Sequence, residues 1–411
     1  MTVASTTLLE EIYKIRYSPD GLTEYFTKES EILTEVPIKN DFGGWKWWKT
    51  FKTNTVRGST TFGTALANRN VPNFVRPEIH RSEDHVIVSV GCEAARAARR
   101  GGEYALIDEL DDAIQSSMEE LARQTDAFMA GNGGGSIGQI ATGGIAGNVI
   151  TLADPAQIYL FSEQMLLQVS ANDGTGTGHT LRDSGNTHTV SSIDQDAGTV
   201  TVSAIGDVSG TAAADYLFRD GDFDQGAQRV LQGFFAWCPH TAPSGGDSFF
   251  TIDRSTNVGA LSGSRIDGDA ASPVDTIKEL AAKMKRNRAR RGEYVCFINP
   301  TRWTEVDQVI LAKQYYGQEN KPKMGAEGFV IKTVLGDVRC VASSAFAEDQ
   351  GIIFRRESVL LRSLDGFPHP VDDDGDIWHL EPTSDSLQAR HRYYAQFAGL
   401  RPQDMGALTF G

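Results

Sequence analysis

Asp220, Asp222 and Asp224 alternate with single residues in the run Asp220-Gly221-Asp222-Phe223-Asp224-Gln225-Gly226, the nearest thing in the sequence to a cation loop. Carboxylates so spaced wrap a calcium ion when a glycine at the sixth loop position permits a sharp turn and a glutamate at the twelfth closes the coordination shell. Those positions hold Gln225 and Leu231, so the run reads as a polar turn. Asp372-Asp373-Asp374-Gly375-Asp376 fails the same template and reads as a solvated acidic turn. The glycine run Gly131-Asn132-Gly133-Gly134-Gly135-Ser136-Ile137-Gly138 follows a helical stretch and lacks a Gly-Lys-Ser/Thr ending. A phosphate loop or dinucleotide fingerprint needs a strand before it, so this run reads as a flexible connector. Neither H-E-x-x-H nor G-x-S-x-G occurs, and His179 with His188, or His379 with His391, lack ligand spacing on a helix. The four cysteines, Cys92, Cys238, Cys296 and Cys340, are far apart with no C-x-x-C, which suits buried reduced thiols better than zinc or disulfides. The expectation is a protein with no catalytic residue, no metal ligand and no cofactor: not an enzyme.

One charged cluster stands out: Lys283, Lys285, Arg286, Arg288, Arg290 and Arg291. It could touch nucleic acid or a partner's carboxylates, or simply favour the negative end of the helix it terminates; the second reading is preferred. The chain as a whole carries a net charge of −15, the wrong sign for general electrostatic grip on DNA or an anionic membrane. No basic stretch leads into a long apolar run, and no segment approaches the roughly 18 apolar residues of a membrane helix. Neither a secretory leader nor a membrane span is expected, and synthesis in a reducing cytoplasm follows.

The elements that would position these residues are several. Residues 1–50 read as an arm, with Leu8, Leu9, Ile12 and Tyr13 at helical spacing and three of the six tryptophans, Trp45, Trp47 and Trp48, at its end. In polar, glycine-rich surroundings these indoles read as an anchor for another surface. Residues 51–91 read as a long hairpin, Thr50 to Phe62 and Phe74 to Val90, around a loop from Gly63 to Asn70. A lone two-stranded ribbon is marginal in water, so it needs a surface to lie on. Ile107, Leu110, Ile114, Met118, Leu121, Thr125 and Phe128 recur at steps of three and four, predicting a helix over 103–130 about 40 Å long. Between 147 and 226, short β-type runs (149–152, 165–169, 187–193, 199–204, 216–219) alternate with turn signals, and eleven acidic residues face two basic ones. That predicts a solvent-facing barrel or sandwich. Helices over 274–286 and 303–311, and strands at 294–298, 328–335, 338–342, 351–354, 358–361 and 387–397, complete an α+β region.

This order of parts resembles the major capsid proteins of tailed bacteriophages with the Hong Kong 97-like fold. The likeness is carried by Phe74-Val75-Arg76-Pro77 through Val86-Ile87-Val88 to the helix ending Asp126-Ala127-Phe128, and by Asp215-Tyr216-Leu217-Phe218-Arg219-Asp220-Gly221-Asp222. It spans nearly the whole chain. It implies an α+β capsid fold divided as N-terminal arm 1–50, extended loop 51–91, peripheral domain 92–146 with spine helix 103–130, inserted β-domain 147–226, connector 227–254, axial domain 255–360 and peripheral return 361–411. It also implies copies joined as hexamers and pentamers of an icosahedral shell that encloses DNA without reading its sequence. Further implied partners are a separate scaffolding protein, a portal protein and a decoration protein, with assembly in the host bacterial cytoplasm and a final place in the virion. Contacts between copies would use Trp45, Trp47, Trp48, Phe62, Leu66, Arg69, Phe74 and Arg76. An encapsulin-type compartment shares the fold, though the inserted β-domain weighs against it; a carbohydrate- or surface-binding protein using the β-block is the alternative from another class.

Some members of that family weld a loop lysine to a neighbour's asparagine. Here no lysine lies between Lys52 and Lys278, and the loop carries Arg57, Arg69 and Arg76. A guanidinium stays protonated and cannot act as the amine nucleophile, and Lys49 and Lys52 sit at the loop's base. Particles boiled in detergent should therefore run as a single band at 44.7 kDa; a ladder of multimers would show a cross-link that this reading denies.

Overall fold

The structure, a computed structural model, describes residues 30–53, 60–69, 73–91, 103–204, 215–268, 272–314, 329–371, 378–381 and 383–411. The expected helix around Leu8–Tyr13, Cys92, Arg57 and the acidic run 372–376 lie outside the described residues. The chain forms two compact units interleaved in sequence: 1–44, 81–126 and 361–396 in one, 45–80, 127–360 and 397–411 in the other.

In the first unit, Ser82–Gly91 pairs antiparallel with the strand Ser386–Gly399, in register from Ser82 opposite Ala395 to Gly91 opposite Ser386. The sequence reading placed Phe74 to Val90 in one hairpin arm. Instead the chain changes partners at Arg81, and only the part before it stays with the hairpin. Ile38–Lys39 adds a short parallel strand against Leu361 and Arg362. The long helix Glu103–Ala130 forms over 28 residues as its spacing predicts, with Ile114, Met118 and Leu121 all buried. Repeats of three and four put these side chains on one stripe, and their burial holds the helix.

The second unit contains a closed six-stranded barrel in the order 188–194, 199–202, 149–152, 136–146, 216–219, 166–170. Its interior is aliphatic, including Ile140, Ile150, Leu167, Val190, Val200 and Leu217. Five strands match the sequence reading closely. The sixth, Ser136–Ala146, corrects it: the barrel begins at Ser136 rather than at 147. Gly138, Gly143 and Gly144 within that strand dilute its β signal. Nor is the preceding glycine run a flexible connector. A Cβ at Gly134 would lie 1.9 Å from the carbonyl oxygen of Asp173, and one at Gly135 would lie 1.9 Å from that of Asp222. The glycines are there because three backbone segments cross in contact.

The rest of this unit is a six-stranded mixed sheet in the order 264–267, 405–409, 350–355, 294–298, 336–342, 329–333. Every residue of Tyr294–Ile298 is buried. Tyr294, Cys296 and Ile298 pack with Ile277, Leu280 and Met284 of the helix Pro273–Arg286 and with Val306 of the helix Pro300–Gln314. Phe297 turns the other way, as strand alternation requires, into a cluster where Phe234 meets Phe354 at 4.8 Å and Phe397 at 4.7 Å between ring centroids. Met405–Thr409, grouped by sequence with the peripheral return, pairs instead with Gln350–Arg355; Gly406 and Ala407 leave it little β signature.

A barrel lacking one stave has two open edges. A fragment spanning 136–226 should therefore give a β-type circular dichroism spectrum and a cooperative melt, whereas 147–226 should not; equal melts from the two would contradict the closed barrel.

Candidate assembly surface

The hairpin within residues 45–80 is ordered at its root and exposed at its tip. At the root, Lys46–Trp48 pairs with Glu78–His80 and Phe51–Lys52 with Phe74–Val75. Phe51 and Ile79 are buried. The Phe51 ring meets the edge of Trp237 at 6.1 Å, and Asn257 donates its amide to the Thr53 carbonyl at 2.8 Å. Lys46 bonds Glu78 at 2.6 Å across the strands and holds its carboxyl below the ordinary range. Between the strands, the expected loop is a six-residue helix, Phe62–Ala67, with no buried residue.

All eight residues expected to touch other copies are described, and they divide by position. Trp45 is 70% exposed, Trp48 56%, Phe62 83%, Leu66 52% and Phe74 54%. Arg69 and Arg76 are exposed, and Trp47 is half-buried. Phe62 and Leu66 stand four residues apart, on one face of the tip helix. Among the described residues, five of the ten exposed large apolar residues thus fall between 45 and 74, a concentration greater than the single scatter normal on a soluble protein.

The titratable groups have structural employment. Burial drives His240 and His391 down to about 4, which keeps both neutral. It pushes the Cys238 thiol up to about 11 and raises Cys296 beside Cys340, away from the thiolate a nucleophile needs. Asp224 accepts the N–H groups of Gln228 and Arg229, each at 2.6 Å, as a turn aspartate does. Among the described residues no group of three His, Cys, Asp or Glu is placed to hold a metal, and no helix is long and apolar enough to cross a membrane. The basic cluster splits. Lys283 donates to the Arg265 carbonyl at 2.6 Å, Lys285 and Arg286 are exposed at the helix end, and beyond it Arg288 takes a left-handed φ of 68°. Two functional features escaped the sequence reading: the buried run Phe234–Trp237 under the hairpin root, visible as an apolar Phe-Phe-Ala-Trp, and Asp404, fully buried, for which no local signal exists.

No protein-family model matches the chain, and no curated protein matches it by sequence. Among solved structures, a chain of the cyanophage A-1(L) capsid asymmetric unit superposes with a TM-score of 0.52 over 91% of this chain and 90% of its own, at 11% identity. The chain has the Hong Kong 97-like capsid fold. Chains of the satellite phage P4 procapsid (TM-score 0.40, 11% identity, covering 95% and 98%) and of the SrpI encapsulin of Synechococcus elongatus (0.42, 6%, 92% and 86%) are also similar, but the assignment of the capsid fold rests on the first. Within this capsid fold the apolar hairpin is an outlying ribbon with almost no core of its own.

The segment that begins at Ser30 is held by a buried acid. Asp126 accepts the Ser30 hydroxyl at 2.5 Å and the Glu31 N–H at 3.1 Å. Burial pushes its carboxyl up to about 7, the two hydrogen bonds opposing and the Glu31 charge adding to the shift. An acid whose folded pKa is raised stabilises the protein fully below its unfolded value of ~3.9 and loses that contribution as pH rises through the folded value. Urea unfolding should therefore show stability falling by roughly 2 kcal/mol between pH 5 and pH 8. Asp126→Asn should flatten that slope; an unchanged slope in the variant would place the titration elsewhere.

Proposed function

We propose that the chain is the major capsid protein of a tailed bacteriophage, structural rather than catalytic, whose copies assemble as hexamers and pentamers of an icosahedral head around packaged double-stranded DNA. The observation that carries this reading is the tip helix: Phe62 and Leu66 face solvent on a helix of six residues. So short a helix is not stable by itself in water, and burial of a large apolar side chain is worth about 1.5–3 kcal/mol. A neighbouring copy that covers this face supplies what the hairpin lacks. The capsid fold supports the choice of partner, since the cyanophage chain it matches belongs to a capsid. In this reading the long helix is the spine, residues 45–80 are the extended loop, the barrel is the inserted domain and the six-stranded mixed sheet belongs to the axial domain. The arm, the loop and the eight surface residues make the contacts between copies. The DNA is enclosed without sequence-specific contacts; scaffolding, portal and decoration proteins are the further partners, and the virion is where the protein ends.

Expression of the full chain should give closed shells in negative-stain micrographs. Phe62→Ser with Leu66→Ser removes apolar surface that is already solvent-exposed, so the melting midpoint should move by no more than about 2 °C while shells fail to close. Normal shells from this variant would remove the hairpin from the interface. Particles filled with protein cargo instead of DNA would favour a compartment.

A further inference from the structure

Between the hairpin root, the turn after the helix Pro273–Arg286 and the loop 400–404 lies a cavity of about 560 Å³. Lys49, Lys52, Arg288, Arg290, Arg355 and Arg401 line it, against two carboxylates, Glu357 and Asp404. Both carboxylates are already engaged. Asp404 accepts the Arg290 N–H and the Ser358 hydroxyl, each at 2.9 Å, and stands 3.5 Å from Arg401 and 4.0 Å from Arg355. Glu357 is paired with Arg355. Lys49, Lys52, Arg288 and Arg290 have no ion-pair partner among the described residues, and the Nε–H of Arg355 has no hydrogen-bond acceptor among them.

Four cations without ion-pair partners lie together in this concavity and repel one another; Lys52, Arg288 and Arg290 are exposed and Lys49 is half-buried, so solvent screens part of that repulsion. They are also out of keeping with a chain of net charge −15. A multiply charged anion relieves that repulsion where a single carboxylate would not, and arginine forks match phosphate oxygens in pairs. The cavity's volume admits a group larger than one phosphate. We propose that this cavity binds a phosphate group, of a nucleic-acid backbone or of a free polyphosphate, with Lys49 and Lys52 at the hairpin root and Arg288 and Arg290 on the turn as its donors. Occupancy ties the root of the hairpin to the mixed sheet. The proposal stands apart from the shell reading, because its readout is anion binding by the chain itself.

The test uses the full-length chain at constant ionic strength, with pyrophosphate and a thymidine oligonucleotide as probes in calorimetry and thermal melts. Pyrophosphate should bind saturably and raise the melting midpoint by about 3 °C or more. The triple variant Lys52→Gln, Arg288→Gln, Arg290→Gln should weaken binding at least tenfold, and Arg288→Gln alone serves if the triple variant melts early without ligand. Lys285→Gln with Arg286→Gln, cations outside the cavity, should leave binding unchanged. Binding of the oligonucleotide but not of pyrophosphate, lost in the triple variant, assigns the site to a phosphodiester backbone; the reverse assigns it to a free polyphosphate. Absence of saturable binding by either probe, equal losses in the two sets of variants, or a response only to polyglutamate would overturn the proposal, the last by giving the cavity to a protein's carboxylates.

Discussion

Trp237 donates its indole N–H to the Phe397 carbonyl at 3.1 Å, and around that bond the second unit is assembled. The ring of Trp237 meets Phe51 at the hairpin root, Phe249 at 5.0 Å and Phe250 at 5.7 Å. Its neighbour Phe234 fills the face of the sheet that the helices leave open. Gly233, which starts this short helix, lies so close to the carbonyls of Phe128 and Met129 that a Cβ there would fall within 2.4 Å of both oxygens. One apolar plug thus meets the end of the long helix, one face of the sheet, the last strands and the base of the ribbon. Each part depends on it for burial that none could obtain alone.

A structure built this way divides its apolar residues into two economies. Those around Phe234 are spent inward and give the second unit a packed core. Those on the hairpin beyond Phe51 and Ile79 have nowhere inward to go, because a two-stranded ribbon has no interior. Phe62 at 83% exposure is therefore a consequence of topology, and its chemistry is available only to another surface. The net charge of −15 acts alongside: like-charged copies repel one another, which opposes nonspecific association through such residues.

How much of this was legible beforehand follows from how local each signal is. The long helix, the helix Pro273–Arg286 and the strand Tyr294–Ile298 announce themselves through periodicity and apolar runs, and their limits agree with the structure within a few residues. The exposed tryptophans and Phe62 were legible as apolar residues with no local core to enter. Ser136–Ala146 was not, because its glycines are chosen by a crossing of chains that the sequence does not display. Met405–Thr409 was not, because its small residues are set by Leu280 and Met284, more than a hundred positions away. The change of partner at Arg81 was invisible for the same reason: an alternating strand shows which of its faces is apolar, not which strand lies beside it. Lys49 and Lys52 share a cavity with Arg288 and Arg290, a convergence that no window along the chain can register.

The crossing at Gly134 and Gly135 has a consequence for how such a protein changes over time. The barrel is joined to the rest of its unit where backbone rests on backbone, at Asp173 and Asp222, with no side chain in between to be exchanged for a larger or smaller one. The turn Ala146–Asn148, at the far end of the strand that begins at Ser136, is exposed, and a Cβ at Gly147 would meet nothing within 4 Å. Drift is free at one end of the barrel and nearly forbidden at the other. A related barrel could be transplanted into this chain, or this one lent elsewhere, only as a package of three separated segments that keep their glycines together. Packing thus ties the module together at the crossing, while the exposed turn at its far end leaves room for substitution.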